Sequence, residues 1–126
     1  MNNLQKIIED ICEKIFDNYY KDGNYIENVG QYKANVKAIN KSLNVIVFKG
    51  LHQRVMQFKI DYSNLNCVDA HFVKIPGRTD NKINEEICKK VFSKFLNVWD
   101  CPNSNITFYK NTNYKLHYEK PLFCED

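Results

Sequence analysis

The sequence predicts an α+β fold: an N-terminal helix, a four-stranded antiparallel meander, a second helix and a C-terminal β-hairpin, with both helices packed on one face of the sheet. Three observations predict it. Apolar residues recur at helical spacing in two separate stretches, one at the start of the chain and one after residue 80. Between those stretches the period changes to two, as half-buried strands require. The period-two runs are joined by short, turn-rich connections, which makes neighbouring strands antiparallel.

The first helix is carried by Leu4, Ile7, Ile8, Ile11, Ile15, Phe16 and Tyr19 on one face, with Glu9, Asp10, Glu13 and Asp17 on much of the rest. Asn2 and Gln5 are spaced as a capping box, and Asp22-Gly23 is read as the stop. In the first strand Tyr32, Ala34, Val36 and Ala38 alternate with Lys33, Asn35 and Lys37, and Asn40-Lys41-Ser42 reads as a hairpin turn. Leu43 to Phe48 is apolar on both sides apart from Asn44, which predicts an internal strand. In the third, Met56, Phe58, Ile60 and Tyr62 alternate with Val55, Gln57, Lys59 and Asp61. A fourth runs from about Val68 to Ile75 and ends at Pro76-Gly77. Asp80 or Asn81 caps a second helix reaching about Trp99, with Ile83, Ile87, Cys88, Val91, Phe92, Phe95, Val98 and Trp99 as its apolar stripe. Ile106–Lys110 and Tyr114–Tyr118 form the final hairpin around Asn111-Thr112-Asn113.

The 126 residues, 44% hydrophobic and 26% charged, suit one ordered domain spanning 1–126. Glu9 and Asp10 interrupt the region where a signal peptide needs an apolar core, and no run of apolar residues is long enough to span a bilayer. A cytoplasmic protein without membrane contact is therefore expected. Five cysteines, Cys12, Cys67, Cys88, Cys101 and Cys124, are an odd number without regular spacing, so free thiols are expected. Lys, Asn, Ile, Tyr and Phe dominate the composition, and all five have A/T-rich codons, which fits the genome of an AT-rich bacterium, its phage, or an AT-rich eukaryote or virus. The same bias discounts the lysine count as a binding signal.

Charge is segregated by element. Residues 28 to 60 contain no Asp or Glu but carry Lys33, Lys37, Lys41, Lys49, Arg54 and Lys59, whereas the first helix is rich in carboxylates. Period-two phasing turns Lys33, Asn35, Lys37, Gln57 and Lys59 outward, beside Ile46 and Phe48, if the helices cover the other face. Lys33, Lys37, Phe48 and Lys59 are thus the candidate partner-binding residues, and an acidic macromolecular surface is the candidate partner. The competing reading is a solvated lysine face that protects the sheet from aggregation.

With two Arg and a net charge of +3 the chain lacks the forks that read guanine edges, so sequence-specific DNA binding is not expected; nonspecific RNA or single-stranded DNA is the alternative partner. A weaker alternative is an anion- or nucleotide-binding sensor or enzyme at the Gly77–Asp80 loop, where Lys74, Gly77, Arg78 and Thr79 precede a helix start, although no P-loop or dinucleotide pattern is present. His52, His71 and His117 form no metal-binding spacing with the cysteines, so neither a metal nor a cofactor is expected. Cys67 or Cys101 could pair with a histidine as a nucleophile only through the fold, and no motif selects one.

The element order is similar to that of the double-stranded-RNA-binding domain and of the ubiquitin-conjugating folds. The second helix opens Asn81-Lys82-Ile83-Asn84-Glu85-Glu86, which would repel phosphate, and there is no His-Pro-Asn motif with a following cysteine. The chain is assigned to neither. The expectation is a non-catalytic binding module, an inhibitor or adaptor of the kind that phages and mobile elements encode.

Overall fold

In the computed structural model, residues 3–18, 21–64, 66–73, 85–98, 106–110 and 113–119 are described. The first helix, α1 (Asn3–Phe16), buries Ile8, Ile11, Cys12, Ile15 and Phe16, as its apolar periodicity requires. It stops before the expected Asp22-Gly23 signal. Its last carbonyls are met locally instead: Asn18 Nδ2 donates to Lys14 O at 3.3 Å and Tyr25 OH donates to Ile15 O at 3.3 Å. Gly23, with φ of 134°, opens a strand rather than closing the helix.

Seven strands follow in one antiparallel sheet: β1 (Gly23–Val29), β2 (Tyr32–Ala38), β3 (Ser42–Lys49), β4 (Gln53–Asp61), β5 (Cys67–Val73), and, after α2 (Glu85–Val98), β6 (Ile106–Lys110) and β7 (Tyr114–Glu119). Their spatial order is β1-β2-β3-β4-β5-β7-β6. The expected four-stranded meander therefore has five strands. The unforeseen member, β1, is an edge strand whose apolar residues Tyr25, Ile26 and Val29 fall on both faces, so period two does not show in its sequence. The chain then crosses through α2 and returns so that β7 pairs with β5 and β6 becomes the other edge.

Turn chemistry sets the registers. Asn40 and Lys41 both have positive φ, 52° and 60°, and Ile39 and Ser42 exchange backbone hydrogen bonds of 3.0 and 3.1 Å across them. This is the two-residue hairpin connection that follows strand twist. Between β3 and β4 the register slips at Val47/Phe48, so Val47 faces Met56 and Phe48 faces Arg54, leaving Val55 as the extra residue of a bulge. Val55, expected outward by strict alternation, is buried beside Met56 for this reason.

One face of the sheet carries the core. Ala34, Val36, Leu43, Val45, Met56, Phe58, Ile60, Val68, Phe72, Leu116 and Tyr118 pack against the two helices, and Phe95 of α2 stands edge-on to Phe16 of α1 at 5.3 Å. Phe58 and Phe72 stack at 5.0 Å across β4 and β5. Cys12 and Cys88 are buried there, and burial pushes the Cys88 thiol up to about 12, so both serve as small core residues. Lys94 of α2 ties the helices together electrostatically, at 4.0 Å from Glu9 and 3.9 Å from Glu13. Among the described residues no helix is long and apolar enough to cross a membrane.

Candidate functional site: the open face of the sheet

Directly opposed residues on neighbouring strands point to the same side, so the registers define which side chains share the face that the described helices leave uncovered, and in what rows. One row runs Asn28, Lys33, Phe48, Arg54. The next runs Ile26, Asn35, Ile46, Gln57, Val73. A third runs Asn24, Lys37, Asn44, Lys59, His71, Lys115, Tyr109. The middle of these is the apolar one, and cationic rows bracket it on both sides. Ile26 keeps 55% of its surface exposed. Between it and Ile46 lies a shallow concavity of about 630 Å³, with Asn24, Asn35, Lys37 and Asn44 around its rim.

The structure places Lys33, Lys37, Phe48 and Lys59 on this one face, across three consecutive strands. Lys33 Nζ lies 6.0 Å from the centre of the Phe48 ring, so the aromatic is partly roofed by a cation. Arg54 Nη1 donates to Gln57 Oε1 at 2.9 Å, which holds the guanidinium along β4. His71, between Lys59 and Lys115, has an Nε2 atom buried without a hydrogen-bond partner among the described residues. Lys74, Gly77, Arg78 and Thr79, the weaker anion-binding candidates, lie outside the described residues.

A fourth row changes the sign of the surface. Asp61, Asp69, His117 and Thr107 stand side by side, and Cys67 with Glu119 lies one step beyond. His117 Nδ1 is 2.6 Å from Asp69 Oδ1, and its Nε2 is 2.8 Å from Glu119 Oε2. The Glu119 and Asp69 carboxylates hold the imidazole above its ordinary value and favour the cation. Asp61 accepts hydrogen bonds from Ser63 N at 3.0 Å and Ser63 Oγ at 2.7 Å, which lowers its carboxyl. Cys67 Sγ lies 3.9 Å from Asp69 Oδ2; partial burial and the carboxylates of Asp69, Glu119 and Asp61 push this thiol up. A thiol held protonated beside an imidazole already engaged by two carboxylates is poorly arranged for nucleophilic chemistry.

Two parts of this face were hidden in the sequence. Ile26 sits on the strand that lacks clean alternation. Cys67, Asp69, His117 and Glu119 each share a face with their own strand neighbours by simple period two, but β7 meets β5 only because the chain crosses through α2, and no local spacing encodes that step. Compared with known protein families, characterised proteins and solved structures, the chain matches none.

Proposed function

We propose that this protein is a non-catalytic binding module whose open sheet face captures a protein segment presenting aliphatic side chains flanked by carboxylates. The observation that carries this reading is the apolar Ile26–Ile46–Val73 row bracketed by the Lys33/Arg54 row and the Lys37/Lys59/Lys115 row. An apolar centre within a charged rim is the anatomy of a protein interface, and the cations select the partner's sign. A single-stranded nucleic acid would need a series of exposed aromatic rings to stack its bases. On this face Phe48 is roofed by Lys33, and Tyr109 lies at the far edge on β6. An inhibitor or adaptor role fits such a surface.

Peptide display against the immobilised protein tests the reading. Selected peptides are expected to carry an aliphatic residue with Asp or Glu on both sides, and a Lys33→Glu/Lys37→Glu/Lys59→Glu variant is expected to lose them while keeping its circular dichroism spectrum. The reading fails if the variant retains the same peptides. It fails equally if the wild type selects none and instead shifts an oligothymidylate at low salt with a steep loss as salt rises, the behaviour of phosphate binding.

A further inference from the structure

We propose that Cys67, Asp69 and His117 bind a zinc ion on the open face, with Glu119 orienting the histidine. This goes beyond the capture of a partner by the basic rows and rests on different residues. The four side chains occupy the corners of a rectangle on two adjacent antiparallel strands: Cys67 and Asp69 are alternate residues of β5, and β7 places Glu119 opposite Cys67 and His117 opposite Asp69. The thiol sulfur, one carboxylate oxygen and one ring nitrogen all lie within 4.8 Å of one another. Clamping an imidazole between two carboxylates requires no sulfur. Its arrival at the same point completes a metal donor set.

The donors choose the metal. A thiolate, an imidazole and a carboxylate together suit zinc, whereas calcium and magnesium take oxygen alone. Around a tetrahedral zinc, nitrogen and oxygen ligands sit roughly 3.3 Å apart, given metal–ligand bonds near 2.0 Å. The 3.9 Å between Cys67 Sγ and Asp69 Oδ2 approaches the spacing of a sulfur–oxygen ligand pair, and the 2.6 Å contact between His117 Nδ1 and Asp69 Oδ1 must open to admit the ion. On binding, His117 Nδ1 and Cys67 Sγ each release a proton to solvent and bond the ion, while Nε2–H stays donated to Glu119 Oε2, 2.8 Å away. That is the carboxylate–histidine–metal relay which fixes ring orientation at many zinc sites. Asp69 and Glu119 leave 60% and 67% of their side chains exposed, so the ion has a path from solvent and a fourth position open to water.

Cobalt(II), which adopts zinc's geometry and reports its ligands by colour, gives the test. The full-length protein is stripped with chelator, kept reduced and titrated with cobalt chloride. One equivalent is expected to bind, with a thiolate-to-cobalt charge-transfer band and strong visible bands of tetrahedral cobalt, all bleached by zinc. Cys67→Ser is expected to abolish the charge-transfer band, and Cys101→Ser/Cys124→Ser to keep it. Glu119→Gln is expected to keep the spectrum with affinity about 10- to 100-fold weaker. The faint spectrum of hydrated cobalt in the wild type, or a charge-transfer band undiminished in Cys67→Ser, overturns the proposal. Should Cys67→Ser not fold, amide NMR of the wild type with zinc decides: shifts centred on residues 67–71 and 115–119 support the site, and shifts centred elsewhere remove it.

Discussion

His117 lies between two carboxylates on the open face, and these neighbours fix the sign of its pH response. Glu119 and Asp69 raise the imidazole above its ordinary value of 6.5. The folded state therefore binds the proton more tightly than the unfolded chain. The resulting stabilisation is complete below pH about 6.5 and is lost as pH rises through the folded value. In the metal-free protein the His117 ring resonances are expected to titrate above 6.5, and Asp69→Asn is expected to move the midpoint down. A midpoint at or below the ordinary value would show that the clamp does not persist in solution. Asp61 works in the opposite direction: Ser63 lowers its carboxyl, so its contribution is present above the ordinary carboxylate range and fades as pH falls through the folded value. Ser63→Ala is expected to raise the Asp61 titration midpoint, which carboxyl NMR would read.

At the scale of elements, the hairpin at Asn40-Lys41 invites a direct measurement. Asparagine tolerates the left-handed region, but lysine at φ of 60° carries a Cβ penalty that glycine would remove. Lys41→Gly is expected to stabilise the protein by about 1 kcal/mol in urea unfolding. An unchanged or lowered midpoint would mean that the turn carries no strain. This turn was legible in the sequence, as were both helices, the strands from Tyr32 to Asp61 and the final hairpin, because each rests on local periodicity or turn chemistry. The failures were also physical. Strand β1 alternates in burial, but Tyr25, Glu27 and Val29 on one face and Asn24, Ile26 and Asn28 on the other each mix apolar and polar residues, so period two does not show in its sequence. The bulge at Val55 breaks period two by inserting a residue, so strict alternation assigned that side chain to the wrong face. The outward phase of Lys33, Lys37 and Lys59 needed only alternation, whereas the meeting of Cys67 with His117 needed the non-local pairing of β5 with β7.

At the scale of the whole molecule the described residues form two layers, with helices and aromatic rings on one side of the sheet and neither described helix on the other. Phe95 joins the layers: it meets Phe16 edge-on at 5.3 Å and Tyr62 at 5.1 Å. Phe95→Ala is expected to cost about 3–5 kcal/mol, a large fraction of the stability of a domain this size, with the unfolding midpoint in urea as readout. A loss below 1 kcal/mol would place the centre of the core elsewhere.

The mixed sign of the open face adds a consequence. Along β4 the residues run from Arg54 through Lys59 to Asp61, and β5 and β7 put Asp69 and Glu119 at the same end as Asp61. The surface therefore has a polarity within its own plane, like a bar magnet lying flat. A ligand that is acidic throughout would be drawn toward one end and repelled at the other. A ligand acidic at one end and basic at the other would be turned into a single heading before any side chain interlocks. Chain direction in the bound segment, as well as its composition, would then be selected by this face.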